Sequence, residues 1–419
     1  MSRKIIVGIV VNPESKRYFS NGLHQNAYYL YLLLNLIPSV TPILVYARGT
    51  VPDDPEEMDV FGVKAYHLDL FVEKYHLDIL LLVSVMLGKA YLKPYRDNGV
   101  KVAAVIYGNR YVMDQETFVF GHLSAEEGKG KNPSALGLLR EDSSVDAVWM
   151  SPHFAWQKDY MIHRYGTKRA YVCPYIWDSK LLEMLTTTDK DYSDGNDNPF
   201  FFRNDPRNKA IFCTEPNLNV LKTSMFPYIA TNFLHTRGKE EFTKLYLYNG
   251  LTVFKHNGSV NSYVKYFPLA KDIKVSFEPR YNFPTILKTA RIMFHHHFMN
   301  GLNYTLLEAA YLQLPVVHNS EFMPDLGYYY KGANVTSATY QLEAALRHED
   351  RDDLEEYNKQ CAEVIHRFSI YNRDNIRGYR TLLANLLNEK IDPELPVYIE
   401  NLDQDLDHAE GTISPMTGY

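Results

Sequence analysis

Cysteine is scarce: Cys173, Cys213 and Cys361 are the whole complement of a 419-residue chain. An odd number of widely spaced thiols argues against a disulfide framework and against a structural zinc site. A surplus of one charge is also missing. The formal net charge of −6 provides no overall attraction to nucleic acid or to an anionic membrane, and leaves room for a local basic pocket only. Apolar runs are short. The longest, such as HLDILLLVSVML, stop well below the roughly 20 residues that cross a bilayer. Met1-Ser2-Arg3-Lys4 leads directly into IIVGIVV without a signal-peptide pattern, so a cytoplasmic protein is expected. The sequons at Asn257, Asn303 and Asn334 are then chance matches.

Several fingerprints are absent as well. No G-x-G-x-x-G follows the first strand, and no G-x-x-x-x-G-K-[ST] or G-x-S-x-G occurs. A nicotinamide oxidoreductase, a P-loop NTPase and a serine hydrolase all lose support. The triplet His295–His297 suggests a metal, but successive residues of a strand point to opposite faces, so it is read as a polar cluster at a strand edge. No metal is expected.

What is present is a soluble globular composition, 46% hydrophobic and 22% charged, in a chain too long for one comfortable core. Tyrosine is abundant at 33 residues, a compositional trait that also suits sugar-binding surfaces, where ring faces meet C–H groups. The first half alternates strand-like runs (4–11, 41–46, 78–83, 100–107, 147–150) with helical patterns near 23–36, 90–98 and 154–164. A second series places strands at 210–214, 245–248, 273–277, 292–296 and 315–318. Near-continuous Val/Ile/Leu strands between helices imply a parallel sheet covered on both faces. The expected organisation is α/β, with two Rossmann-like doubly wound domains facing across a cleft. Residues 1–172 form the N-terminal domain and 173–208 a linker rich in Asp, Asn, Ser and Pro. Residues 209–350 form the C-terminal domain, 351–390 two helices, and 391–419 an acidic tail.

The most informative stretch is MNGLNYTLLEAAYLQLPVVHNSEF, residues 299–322. A strand ends in a loop and a helix begins at once, which places a helix N-terminus at the carboxyl edge of a parallel sheet, a location suited to phosphate. Gly301 allows close backbone approach. Glu308, followed by Ala309 and Ala310, can accept two hydrogen bonds from a ribose diol.

This segment resembles the donor-binding signature of GT-B glycosyltransferases of the family 4 type, E-G-F-G-x-x-x-L-E-A followed by a Pro-Val-Val strand. Leu307-Glu308-Ala309 and Pro315-Val316-Val317 carry the match. In that family two glutamates stand eight apart: the second, here Glu308, holds the nucleotide ribose, and the first contacts the transferred sugar. The first falls on Asn300, which can bond sugar hydroxyls but carries no charge. The resemblance implies an NDP-sugar co-substrate, a glycan or other hydroxyl acceptor, no metal or other cofactor, and final helices that return to the N-terminal domain. The complete motif also implies retention of anomeric configuration, a point that Asn300 leaves open.

Other segments fit the same frame. In CTEPNLNVLKTS, Lys222 occupies the place of a diphosphate-binding cation, with Glu215 and Asn217 where the family has Gly-Arg. In VSFEPRYNFP, Arg280 is placed for a phosphate and Glu278 or Tyr281 for the base. Asn303 and Tyr304 open the signature helix. In FSNGLHQNAYYL, Gly22 has a backbone reason to sit at a helix N-terminus, with His24 and Gln25 beside it; Asn109, Arg110 and Asp114 end another strand on the acceptor side. The expected catalytic set is Asn300, Lys222 and Glu308. Two rivals share the fold: a binding scaffold that has lost its chemistry, and a nucleotide-sugar epimerase.

Overall fold

The computed structural model describes residues 4–11, 22–47, 55–70, 76–126, 145–188, 208–238, 241–350 and 353–387. The expected acidic tail, most of the expected linker and residues 12–21 lie outside these residues.

The first unit is built on eight strands: β1 (Ile5–Val10), β2 (Val40–Tyr46), β3 (Glu57–Val60), β4 (Val63–His67), β5 (Ile79–Val83), β6 (Lys101–Ile106), β7 (Ala147–Met150) and β8 (Ala170–Val172). Their order is β3-β4-β2-β1-β5-β6-β7-β8. Every pairing is parallel except β3 with β4. All five residues of β5 and all four of β7 are buried, the pattern of strands covered on both faces. The second unit has six parallel strands: β9 (Ile211–Cys213), β10 (Leu245–Tyr248), β11 (Val275–Glu278), β12 (Ile292–Phe294), β13 (Val316–His318) and β14 (Tyr328–Tyr329). Their order is β11-β10-β9-β12-β13-β14.

Both sheets reverse direction of growth beside their first strand, at β1/β5 and at β9/β12. Ligands of open parallel sheets bind outside the carboxyl ends at such points. The loops after β9 and β12 therefore flank the crevice of the second unit.

The start of the expected linker, the stretch after β8, is packed rather than exposed. Cys173, Tyr175, Ile176 and Trp177 are buried, and a helix follows at Lys180–Thr188. The helix expected over 154–164 divides into a 3-10 turn, Pro152–Gln157, and an α-helix, Lys158–Tyr165. The final helices are Leu354–Phe368 and Arg373–Leu387. The second crosses to the first unit, where the hydroxyls of Tyr379 and Tyr107 lie 2.8 Å apart and that of Tyr379 donates to Pro174 O at 2.8 Å. All three cysteines are buried as free thiols.

Candidate functional site

The loop after β9 is shaped by Asn217. This residue adopts a left-handed φ of 54°, and its side chain accepts from Ser224 N at 2.8 Å and donates to Glu215 O at 2.8 Å. Asparagine is one of the few non-glycine residues that take this conformation readily. Asn217 thus holds the loop in shape, and Lys222 rides on its far limb.

Behind the loop, Glu215 is 1% exposed and its Oε1 lies against Nδ1 of His295, which is fully buried. Burial opposes the charge of Glu215, but His295 and then Lys222 bring its carboxyl below the ordinary range. Burial holds His295 below its ordinary value despite that carboxylate. The pair shares one close contact set beneath the crevice. Lys222 is half-buried, and burial lowers its ammonium pKa against the pull of Glu215. An added anion in the crevice would favour the charged form.

The loop after β12 supplies the opposite wall. His297 accepts from Asn300 N at 3.1 Å through Nδ1, while its Nε2 stands 3.4 Å from Glu321 Oε2. Asn319 bridges the His297 backbone on both sides, accepting from N at 3.0 Å and donating to O at 2.9 Å. His295 and His297 share one side, with ring centroids 6.1 Å apart. His296 turns away to stack on Phe226 at 4.0 Å. The alternation expected for the triplet holds, but all three rings are buried rather than at an open edge.

The first unit contributes His153, a residue that sequence reasoning missed. It follows β7 in Ser151-Pro152-His153, where proline opens the 3-10 turn. Its ring is 5% exposed and faces Asn300, and neither nitrogen completes a hydrogen bond of ordinary geometry with a described residue. Burial, then the nearby Lys222 and His297, push its pKa well below the ordinary value. A neutral imidazole with unsatisfied nitrogens, buried where two carboxyl edges meet, is suited to bonding a polar ligand. The available signal was its position, a histidine just past the carboxyl end of a buried strand.

Glu308 stands on the helix Tyr304–Tyr311, partly exposed at the seam between the units. Its charge is close enough to Tyr29 and Tyr175 of the first unit to raise both phenols, after burial. Burial alone lifts its own carboxyl to about 7.

The remaining candidates divide between structural and open positions. Tyr304 is buried, donates its hydroxyl to Asn26 Oδ1, and packs on Tyr29 and Tyr175 at 5.3 and 5.0 Å. A Cβ on Gly22 would stand 3.3 Å from the Tyr304 ring, so these two residues meet as a packing contact. Gln25 is buried one turn along. Asn303 caps its helix by accepting from Thr305 N at 3.4 Å, and Asn257 and Asn334 likewise cap helices. The sequons therefore coincide with N-caps, because Asn suits that position. At Gly301 a Cβ would fall 2.6 Å from the Phe322 ring; its bareness admits the segment after β13, which is a different reason from phosphate approach.

Arg280 and Tyr281 follow β11, the outermost strand, and are both exposed. Asn249 ties their turn to the β9 loop: it donates from Nδ2 to Thr214 O at 2.8 Å and from N to Pro279 O at 3.4 Å, and its backbone O accepts from Asn217 Nδ2 at 3.5 Å. Glu278 accepts from Ser276 Oγ at 2.5 Å. In the first unit, Asn109 donates to Met299 O at 2.8 Å and so joins the two units, while Asp114 holds both Arg110 and Arg164 at 3.1 Å. The structure thus gathers Lys222, Asn300, His153 and His297 at one crevice, with Glu308 at the seam and Arg280 at the outer strand.

A family model described as "Protein of unknown function (DUF2827)" matches residues 5–383. No curated protein matches the chain. Among solved structures, the sucrose-phosphate synthase of Thermosynechococcus elongatus aligns with a TM-score of 0.52 at 12% identity, over 91% of this chain and 100% of that one. The α,α-trehalose 6-phosphate synthase of Burkholderia multivorans gives 0.52 at 12% identity, over 92% and 98%. The Escherichia coli structure titled trehalose-6-phosphate bound with UDP-2-fluoro glucose gives 0.55 at 10%, over 91% and 99%. At these identities the likeness establishes the fold: two Rossmann-like units in the GT-B arrangement.

Proposed function

The chain belongs to this DUF2827 family, and we propose that it is a glycosyltransferase that moves a sugar from a nucleotide-diphosphate sugar to a hydroxyl acceptor. The observation that carries the reading is the placement of Lys222. Its ammonium lies in the β9 loop, at the reversal point of the second sheet, beside His153 from the facing unit and next to the loop of Asn300. A pyrophosphate there would meet a cation held in a partly dry crevice, where charge stabilisation counts for more than in water.

Breaking the anomeric C–O bond leaves negative charge on the departing diphosphate, and Lys222 would offset it as it develops. Glu308 would accept from the ribose hydroxyls, and the exposed Arg280–Tyr281 turn would lie toward the base. The neutral ring of His153 and the amide of Asn300 would bond hydroxyls of the transferred sugar. This division of labour needs no metal, and transfer should survive a chelator. Without a carboxylate at position 300, the configuration of the product is best settled by NMR of the first-formed anomer.

The test is a melting-temperature screen against UDP, GDP, ADP and CMP, since a ligand of the folded state raises the melting point. Transfer assays with the corresponding nucleotide sugars follow. Lys222→Ala should slow turnover by about a hundredfold while weakening nucleotide binding less. Wild-type kinetics in this variant would overturn the assignment. Asn300 favours one alternative, a scaffold that binds nucleotide sugars without chemistry; nucleotide binding with neither donor hydrolysis nor transfer would identify it.

A further inference from the structure

Beyond the donor crevice, the 3-10 turn that carries His153 also carries Trp156. Successive turns of a 3-10 helix eclipse at three residues, so Trp156 stands on the same face as His153, ~6 Å further along. That separation is close to one sugar residue. Trp156 is 51% exposed, and Tyr111 meets it edge-to-face at 5.6 Å with the rings 74° apart. Tyr111 is itself braced by Tyr160 at 5.2 Å, and its backbone N donates to Gln157 Oε1 at 3.0 Å. Gln157 in turn donates to Asn109, whose amide reaches Met299 O in the Asn300 loop. The aromatic pair is therefore fixed to both walls of the crevice.

The two guanidinium groups beside the pair are already engaged by one carboxylate. Arg110 and Arg164 both bind Asp114, which also accepts from Tyr160 at 2.6 Å. A sugar phosphate would have to break that network to gain a guanidinium partner. A neutral saccharide can lay its C–H surface on a ring face without a charged partner, and the half-exposed Trp156 ring beside the partly exposed Tyr111 offers one.

We propose that Trp156 and Tyr111 form a stacking platform for the acceptor, and that the acceptor is a neutral oligosaccharide chain whose terminal sugar reaches His153 while the next lies on Trp156. This builds on the glycosyl-transfer reading and narrows its acceptor class.

Trp149 and Trp177 are buried, so Trp156 is the exposed one of three tryptophans and reports on its own surface. The full chain is probed on an array of neutral oligosaccharides of two or more sugars beside monosaccharide phosphates, and hits are titrated by acrylamide quenching of tryptophan emission. Neutral oligosaccharides should bind and shield the exposed tryptophan. Trp156→Ala should weaken them roughly tenfold, and Trp156→Phe should restore most of the affinity. An empty array, undiminished oligosaccharide binding in Trp156→Ala, or selective binding of the monosaccharide phosphates would each overturn the proposal. Nucleotide-induced melting shifts, measured in parallel, separate the two readings. Their absence alongside oligosaccharide binding removes the donor assignment only; their presence with a failed oligosaccharide arm removes the platform only.

Discussion

At the scale of single residues, Glu308 combines two opposed demands. Its carboxyl titrates near 7 in the fold against about 4.5 in an unfolded chain, because it is buried. Between those values the folded state binds the proton more tightly, so the group favours folding at low pH, and that contribution is lost as pH rises toward 7. A shift of this size corresponds to about 1–3 kcal/mol after allowance for partial exposure. Glu308→Gln should accordingly raise the melting temperature of the ligand-free protein at pH 8 by a few degrees, with no gain at pH 4. Ribose binding has the opposite sign, since it needs the acceptor oxygens of the ionised form. Nucleotide affinity should tighten between pH 6 and pH 8 in the wild type and lose that dependence in the variant. Calorimetric titration at the two pH values decides it. A flat wild-type profile would remove Glu308 from the ribose.

Elements show how much could be read in the chain and how much could not. Buried strands were plain, because β5, β6 and β7 are uninterrupted apolar runs between helical patterns. The β3–β4 hairpin was not. Its turn is Phe61-Gly62, with φ of 55° and 76°, and the usual Asn-Gly or Asp-Gly signal is missing. Asn300 and Glu308 stood out because their motif is local. His153 did not, because its neighbours Lys222, His297 and Asn300 lie far away in the chain and only the fold brings them near. Asn217 and Glu215 were legible as members of the right loop, but their roles depend on partners that spacing does not reveal. This gives a prediction for the loop as a unit. Asn217→Ala removes the bonds to Ser224 and Glu215 and leaves a side chain ill suited to positive φ, at a cost of about 1–3 kcal/mol. Turnover should fall in the direction expected for Lys222→Ala although no ligand contact is lost, and Asn217→Gly should recover only the backbone part. Chemical denaturation beside kinetics reads both components.

In the whole molecule, the candidate crevice depends on how the two units are held together, and the Tyr304 ring makes several of the contacts at that seam. It belongs to the second unit, yet it packs on Tyr29 and Tyr175 and donates to Asn26, all from the first. Glu116 accepting from Val220 N at 2.8 Å and Asn109 donating to Met299 O fix the seam at two further places. If the hydroxyl bond orients the units while the ring supplies most of the cohesion, two variants should separate these contributions. Tyr304→Phe keeps the ring and loses about 1 kcal/mol, whereas Tyr304→Ala opens a cavity between units and loses about 3–5 kcal/mol. A double-mutant cycle with Asn26→Ala should return a coupling of about 1 kcal/mol. Additive losses, with no coupling, would mean that the hydroxyl bond does not join the units in solution. The helix bearing Glu308 would then be free to move with the second unit, and the geometry proposed for the donor would have to be assembled by closure on the nucleotide.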